Sequence, residues 1–167
     1  GTIFSTTGYE GRVDVTRRDD RRGSGMMGLT LGHTKLGASG DEAFISPTKT
    51  GRIGAYLFET RAFDNDLGVE GGLRLERVML GNAIEGARRF NTLSGAAGLH
   101  RHFDKNLFAG VQIAYTQRAP SDVELFANGP HLATAQFERG DRTLTVEQGL
   151  TLEATARYDF ARGSVGT

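Results

Sequence analysis

GYEGRVDVTRR, residues 8 to 18, alternates strictly: Tyr9, Gly11, Val13 and Val15 fall in one phase, and Glu10, Arg12, Asp14 and Thr16 in the other. Successive side chains of a strand point to opposite faces, so a period of two separates polar from apolar only in an extended chain. At the helical period the four polar residues would scatter around the circumference. The stretch is therefore a strand with one apolar and one polar face.

The same period runs outward from it. Residues 25 to 36 set Met27, Leu29 and Leu31 against Gly28, Thr30 and Gly32. Residues 51 to 61 group Ile53, Ala55 and Leu57, and residues 67 to 79 set Leu67, Val69, Leu73 and Leu75 against Glu70, Arg74 and Glu76. Residues 91 to 103, 107 to 117 and 145 to 160 repeat the pattern, for example Leu150, Leu152 and Ala154 against Thr151, Glu153 and Thr155. About seven strands result, most of roughly 10 to 13 residues, close to the length that crosses a bilayer at a tilt.

Composition narrows the class. The 167 residues contain no Cys, which removes disulfide frameworks and thiolate chemistry. Twenty basic residues balance twenty acidic ones, which argues against a phosphate-dominated nucleic-acid partner. Arg17, Arg18, Arg21 and Arg22 are interrupted by Asp19 and Asp20 and read as a solvated turn. No run of about 18 apolar residues offers a transmembrane helix. A hydrophobic fraction of 38% suits a barrel in which only alternate residues meet lipid.

The connections sort by length. Residues 19 to 22, 63 to 66 and 104 to 106 are short and rich in Asp and Asn, whereas 37 to 50, 80 to 90 and 118 to 144 are longer. Short turns on one rim and long loops on the other are the habit of bacterial outer-membrane barrels. The expected fold is all-β: an antiparallel transmembrane β-barrel section of about seven up-and-down strands, with residues 1 to 167 part of a single barrel domain. Single-chain barrels have even strand numbers, and open sheet edges are not tolerated in hydrocarbon. Further wall is therefore expected, from sequence on both sides or from a companion chain.

A family can be named on three segments. RAPSDVELFANGPHLATAQFERGD at 118 to 141 resembles the segment of TonB-dependent outer-membrane receptors in which an (E/Q)RAP strand end leads into an ELF or ELY loop. Within that family it is most similar to the zinc-uptake branch, through NGPHLAT and the FE-x-GD ending. GDEAFISPTKT at 40 to 50, followed by LFE at 57 to 59, and GYEGRVDV at 8 to 15 are also similar. The resemblance implies a bacterial outer-membrane transporter, contacting lipid, filled by a plug domain and energised through a TonB box. Plug and TonB box are expected to be absent from this chain. The implied cargo is a metal ion or metal chelate, zinc favoured, with no resident cofactor. A passive porin-like barrel and a soluble all-β binding module stay open as alternatives.

Candidate contacts lie on the long-loop side. His131, following Gly129-Pro130, has an imidazole suited to zinc, and Asp41 and Glu42 add carboxylate oxygens from another loop. The alternative for His131 is a hydrogen bond within its own loop. Asn128 is a further candidate for substrate contact. Arg88 and Arg89, expected in a long loop, form a pair able to hold an anionic chelate, or are simply solvated. His100 and His102 share the polar phase near the short-turn rim, and His33 shares the apolar phase. There is no GxSxG, HExxH or P-loop, so no enzyme is expected.

Overall fold

A computed structural model describes residues 2–19, 23–40, 43–63, 66–131, 136–160 and 163–166. Long antiparallel strands follow one another as β1 (Ile3–Asp19), β2 (Gly23–Ser39), β3 (Thr48–Ala62), β4 (Leu67–Asn82), β5 (Gly86–His102) and β6 (Leu107–Arg118). After β6 come a short helix α1 (Asp122–Phe126) and two short strands, β7 (Asn128–His131) and β8 (Gln136–Arg139). The chain then returns as β9 (Glu147–Phe160) and β10 (Gly163–Gly166). One sheet has the order β1-β2-β3-β4-β5-β6-β9-β10, and β7 with β8 forms a separate hairpin.

The register carries the sequence phase across the wall. Val13 faces Leu29, Leu29 faces Ala55, Ala55 faces Leu75, and Leu75 faces Leu93. Further along, Ile113 faces Leu152 and Tyr115 faces Leu150. This produces a continuous apolar belt on one face that no protein layer covers: Val13 is 70% exposed, Leu73 53% and Leu152 77%. Large apolar side chains left bare in every strand fit a lipid solvent rather than water.

Charge marks the lower limit of the belt: Arg17 of β1 shares a row with Glu59 of β3 through Gly25, and on β5 the outward charge comes at Arg101, which faces Leu67.

Three expectations need correction. An eighth strand, β10, pairs with β9 beyond the seven expected. The segment 80 to 90 is not a long loop: β4 and β5 extend to Asn82 and Gly86 and are joined through residues 83 to 85. The Asn82 side-chain oxygen accepts the Ile84 and Glu85 amides, each at 2.9 Å, and Gly86 takes a φ of 85°, the device of a tight turn. Third, the 118 to 144 connection carries α1 and a hairpin rather than irregular loop alone.

Among the described residues the buried core is not in the belt. It lies on the opposite, lumen face near the long-loop rim, where Val78, Leu80 and Phe90 meet Phe44, Ile45, Leu125, Phe126 and Ala127. The alternation of faces sets a test. Leu73→Arg, in the belt, should cost about 2 to 4 kcal/mol in the folded receptor, whereas Gln112→Arg, on the lumen face opposite Glu153, should cost less than about 1. Denaturant unfolding in lipid measures both, and equal costs would refute the assignment of faces. Arg74 is not a neutral control, because its guanidinium pairs with the half-buried Glu76.

Candidate functional site

The site is assembled from the loop that leaves β6. Pro120 cannot extend the ladder, and Ser121 caps α1. Its hydroxyl accepts the Glu124 amide at 3.2 Å, and the Glu124 carboxylate accepts the Ser121 amide at 2.7 Å, a reciprocal capping box. Arg118, at the end of β6, donates to both oxygens of Glu124 at 2.8 and 2.9 Å and through Nε to Glu147 at 2.8 Å. Glu147 opens β9. One planar guanidinium fork therefore binds the point where the loop departs, the helix it forms and the strand by which it returns.

The anchored helix inserts Leu125 and Phe126 against Val78, Leu80 and Phe90 on the lumen wall. Burying each such side chain contributes about 1.5 to 3 kcal/mol, enough to hold the loop inward rather than leave it in water. The hairpin is tied to this helix: the Gly140 amide donates to Ala127 at 2.7 Å and the Asp141 amide to Glu124 at 2.8 Å. The Asn128 amide donates to the Phe44 carbonyl at 2.6 Å, joining the segment before β3. Glycine is required at two of these contacts. A Cβ on Gly129 would lie 2.8 Å from the Phe44 Cα, and one on Gly140 would lie 2.6 Å from the Leu125 carbonyl carbon.

The returning segment is stapled to the β4–β5 turn. Arg88 donates to the Leu144 carbonyl at 2.9 Å, and Arg142 meets Glu85 at 3.3 Å. All the described long-rim connections thus merge into one cap over the lumen face.

Beneath the cap lies an open cavity of about 640 Å³, bounded by Glu10, Thr50, Arg52, Arg74 and Glu76 of the wall and by Asp122 of the cap. Its wall is a connected polar network. Arg12 meets Asp14 at 2.8 Å, Asp14 accepts from the Tyr56 hydroxyl, and Arg74 reaches Glu76 and Thr30 and lies 6.0 Å over the Tyr56 ring. Both signs of charge are present, so the cavity is polar without favouring one sign.

The sequence-derived candidates separate. His131 closes β7 opposite Gln136, and its strand backbone alone is described. Asp41 and Glu42 lie outside the described residues. Asn128 is exposed and borders a cleft of about 700 Å³ with Arg139, Asp141 and Arg142. Arg88 and Arg89 stand in β5, not in a loop, and they do not act as a pair: Arg88 binds the cap, while Arg89 is exposed in the outward phase of Leu93. His100 and His102 pack on Phe108 at 5.8 and 5.0 Å, and His33 packs on Tyr9 at 5.4 Å on the outward face. Among the described residues no three His, Asp or Glu side chains converge as a metal site.

The sequence reading missed the Arg118–Glu124–Glu147 clamp and the core beneath it. Two signals were present: the S-x-x-E spacing of Ser121 and Glu124, and Val78 with Leu80 in the polar phase of β4.

An uncovered apolar belt, an up-and-down antiparallel wall and a cap folded over a polar face describe a section of an outer-membrane β-barrel. The family model of TonB dependent receptor-like β-barrels matches residues 4–167. The chain belongs to this family. No match is found among curated proteins. Membership in the TonB-dependent receptor family makes the chain part of a transporter, sets it in a Gram-negative outer membrane, and implies TonB and a substrate as partners.

The clamp has a pH signature. Hydrogen bonds from Arg118 and then from Ser121 hold the Glu124 carboxyl down at about 2. A depressed carboxyl contributes stability above its unfolded value, and that stability is lost as pH falls through the folded value. The cap should therefore loosen between about pH 4.5 and about pH 2. Amide exchange at Leu125 and Ala127, corrected for intrinsic rate, should rise over that window. In Glu124→Gln the pH step should be gone; a step retained in this variant would assign it to another group.

Proposed function

We propose that this wall serves an importer of a metal ion or metal chelate, with zinc the favoured cargo. The supporting observation is the chemistry of the cap hairpin: it carries His131 and Asn128, and Asn128 borders a cleft of about 700 Å³ with Arg139, Asp141 and Arg142. Asp41 and Glu42 belong by sequence to the neighbouring segment, whose Phe44 carbonyl bonds the hairpin at Asn128. Neutral imidazole with carboxylate oxygens is a donor set suited to zinc. Coupling to TonB would run through a plug domain.

The test is zinc uptake and bound zinc in the full-length receptor, comparing wild type with His131→Ala at limiting metal. Loss of a direct ligand should lower affinity by at least about tenfold. Unchanged zinc affinity would remove His131 from the site. Unchanged cellular zinc on deletion of the receptor would remove the metal reading altogether.

A further inference from the structure

β5 is paired on both sides only along its lower part. It meets β4 from Gly86 to Arg101, but β6 only from Gly95 onward. β6 ends at Arg118 and the chain turns into the cap, so the lane beside the upper part of β5 holds no strand among the described residues. The Gln117 side chain marks the limit: its amide oxygen accepts the Leu93 amide at 2.8 Å, in place of a further ladder bond. Residues two apart in a strand point their N–H and C=O groups the same way. Those of Asn91, Arg89 and Ala87 therefore face the empty lane, and among the described residues nothing bonds them. The returning segment of the cap does not fill the lane. It meets β5 from the lumen side, where Arg88 donates to the Leu144 carbonyl.

The membrane boundary explains why this edge can stay open. Leu93 faces Leu75 in the apolar belt, and at the next outward position Arg77 donates to Asn91 at 2.9 Å. The free run begins where hydrocarbon gives way to water, which can solvate it. It is about five residues long, a usual strand length, and such an edge is a template for pairing with another chain. The side chains define what fits. Outward, Arg89 is exposed and forms no ion pair among the described residues. A second copy paired antiparallel about this position would set arginine against arginine, which is destabilising, whereas an acidic residue there would form a cross-strand ion pair. Inward, Phe90 belongs to the buried core and Val146 packs against it, so apolar side chains suit that face.

We propose that the upper edge of β5, from Ala87 to Asn91, is a docking strand for an extended segment of another protein outside the cell. That segment carries acidic residues in its outward positions and apolar ones inward. Backbone hydrogen bonds supply the affinity of such strand addition, and alternate side chains supply its selectivity. The proposal does not rest on the identity of the cargo.

The test uses the full-length receptor in nanodiscs and a labelled synthetic peptide of alternating valine and glutamate, with a copy N-methylated at its glutamates. Fluorescence anisotropy should show the first peptide binding and the second at least tenfold weaker. Hydrogen exchange, read residue by residue, should slow on binding at Ala87, Arg89 and Asn91. It should not change at Arg88 and Phe90, whose amides face β4. Arg89→Pro removes an N–H that the β4 ladder does not use and should weaken binding at least tenfold. Arg89→Gln, which keeps the backbone, should weaken it only about twofold to fivefold. Where Arg89→Pro fails to fold, the exchange pattern and the N-methylated peptide still decide. No binding of the first peptide, equal binding of the methylated one, or full affinity in folded Arg89→Pro would overturn the proposal. Slow exchange at Ala87, Arg89 and Asn91 before peptide is added would also overturn it, by showing the edge already covered by the receptor's own chain.

Discussion

Hydrocarbon offers no hydrogen bonds, and that constraint organises the molecule. Every backbone amide and carbonyl inside the bilayer must be satisfied by a neighbouring strand. A continuous antiparallel ladder meets the demand from β1 through β6 to β9 and β10. The ladder then fixes the side chains: alternate residues are forced outward, and only apolar ones are stable there. β1 flanks the sheet with 17 residues, paired along its whole length with β2.

This explains why the wall was legible in the sequence. The belt residues answer to one environment and one period, so Val13, Leu29, Ala55 and Leu75 could be assigned without knowing their partners. The long-loop rim was less legible because two environments overlap there. Val78 and Leu80 occupy the polar phase yet are buried, since the neighbour they meet is α1 rather than water. Beside the outward Met79 they make a run without alternation, and a strand end then reads as loop. Arg88 and Arg89 were displaced from strand to loop by the same error.

The cap shows a different kind of legibility. Arg118, Ser121, Glu124, Gly129 and Gly140 lie in the segment whose wording points to the family, and each is engaged internally. The arginine fork, the capping box and two close backbone approaches leave these side chains little freedom to meet a ligand. Their specificity is for a geometry: a loop that must leave β6, turn over the lumen wall and return at β9.

It follows that the strongest family signature here says least about cargo. A residue bound on all sides by the cap cannot be retuned for a new substrate without releasing Leu125 and Phe126 from the wall. Asn128, exposed beside its open cleft, lies outside the clamp. The loop thus divides into a base fixed by the clamp and a tip beyond it. This division limits how far a match to the fixed base can be extended toward zinc.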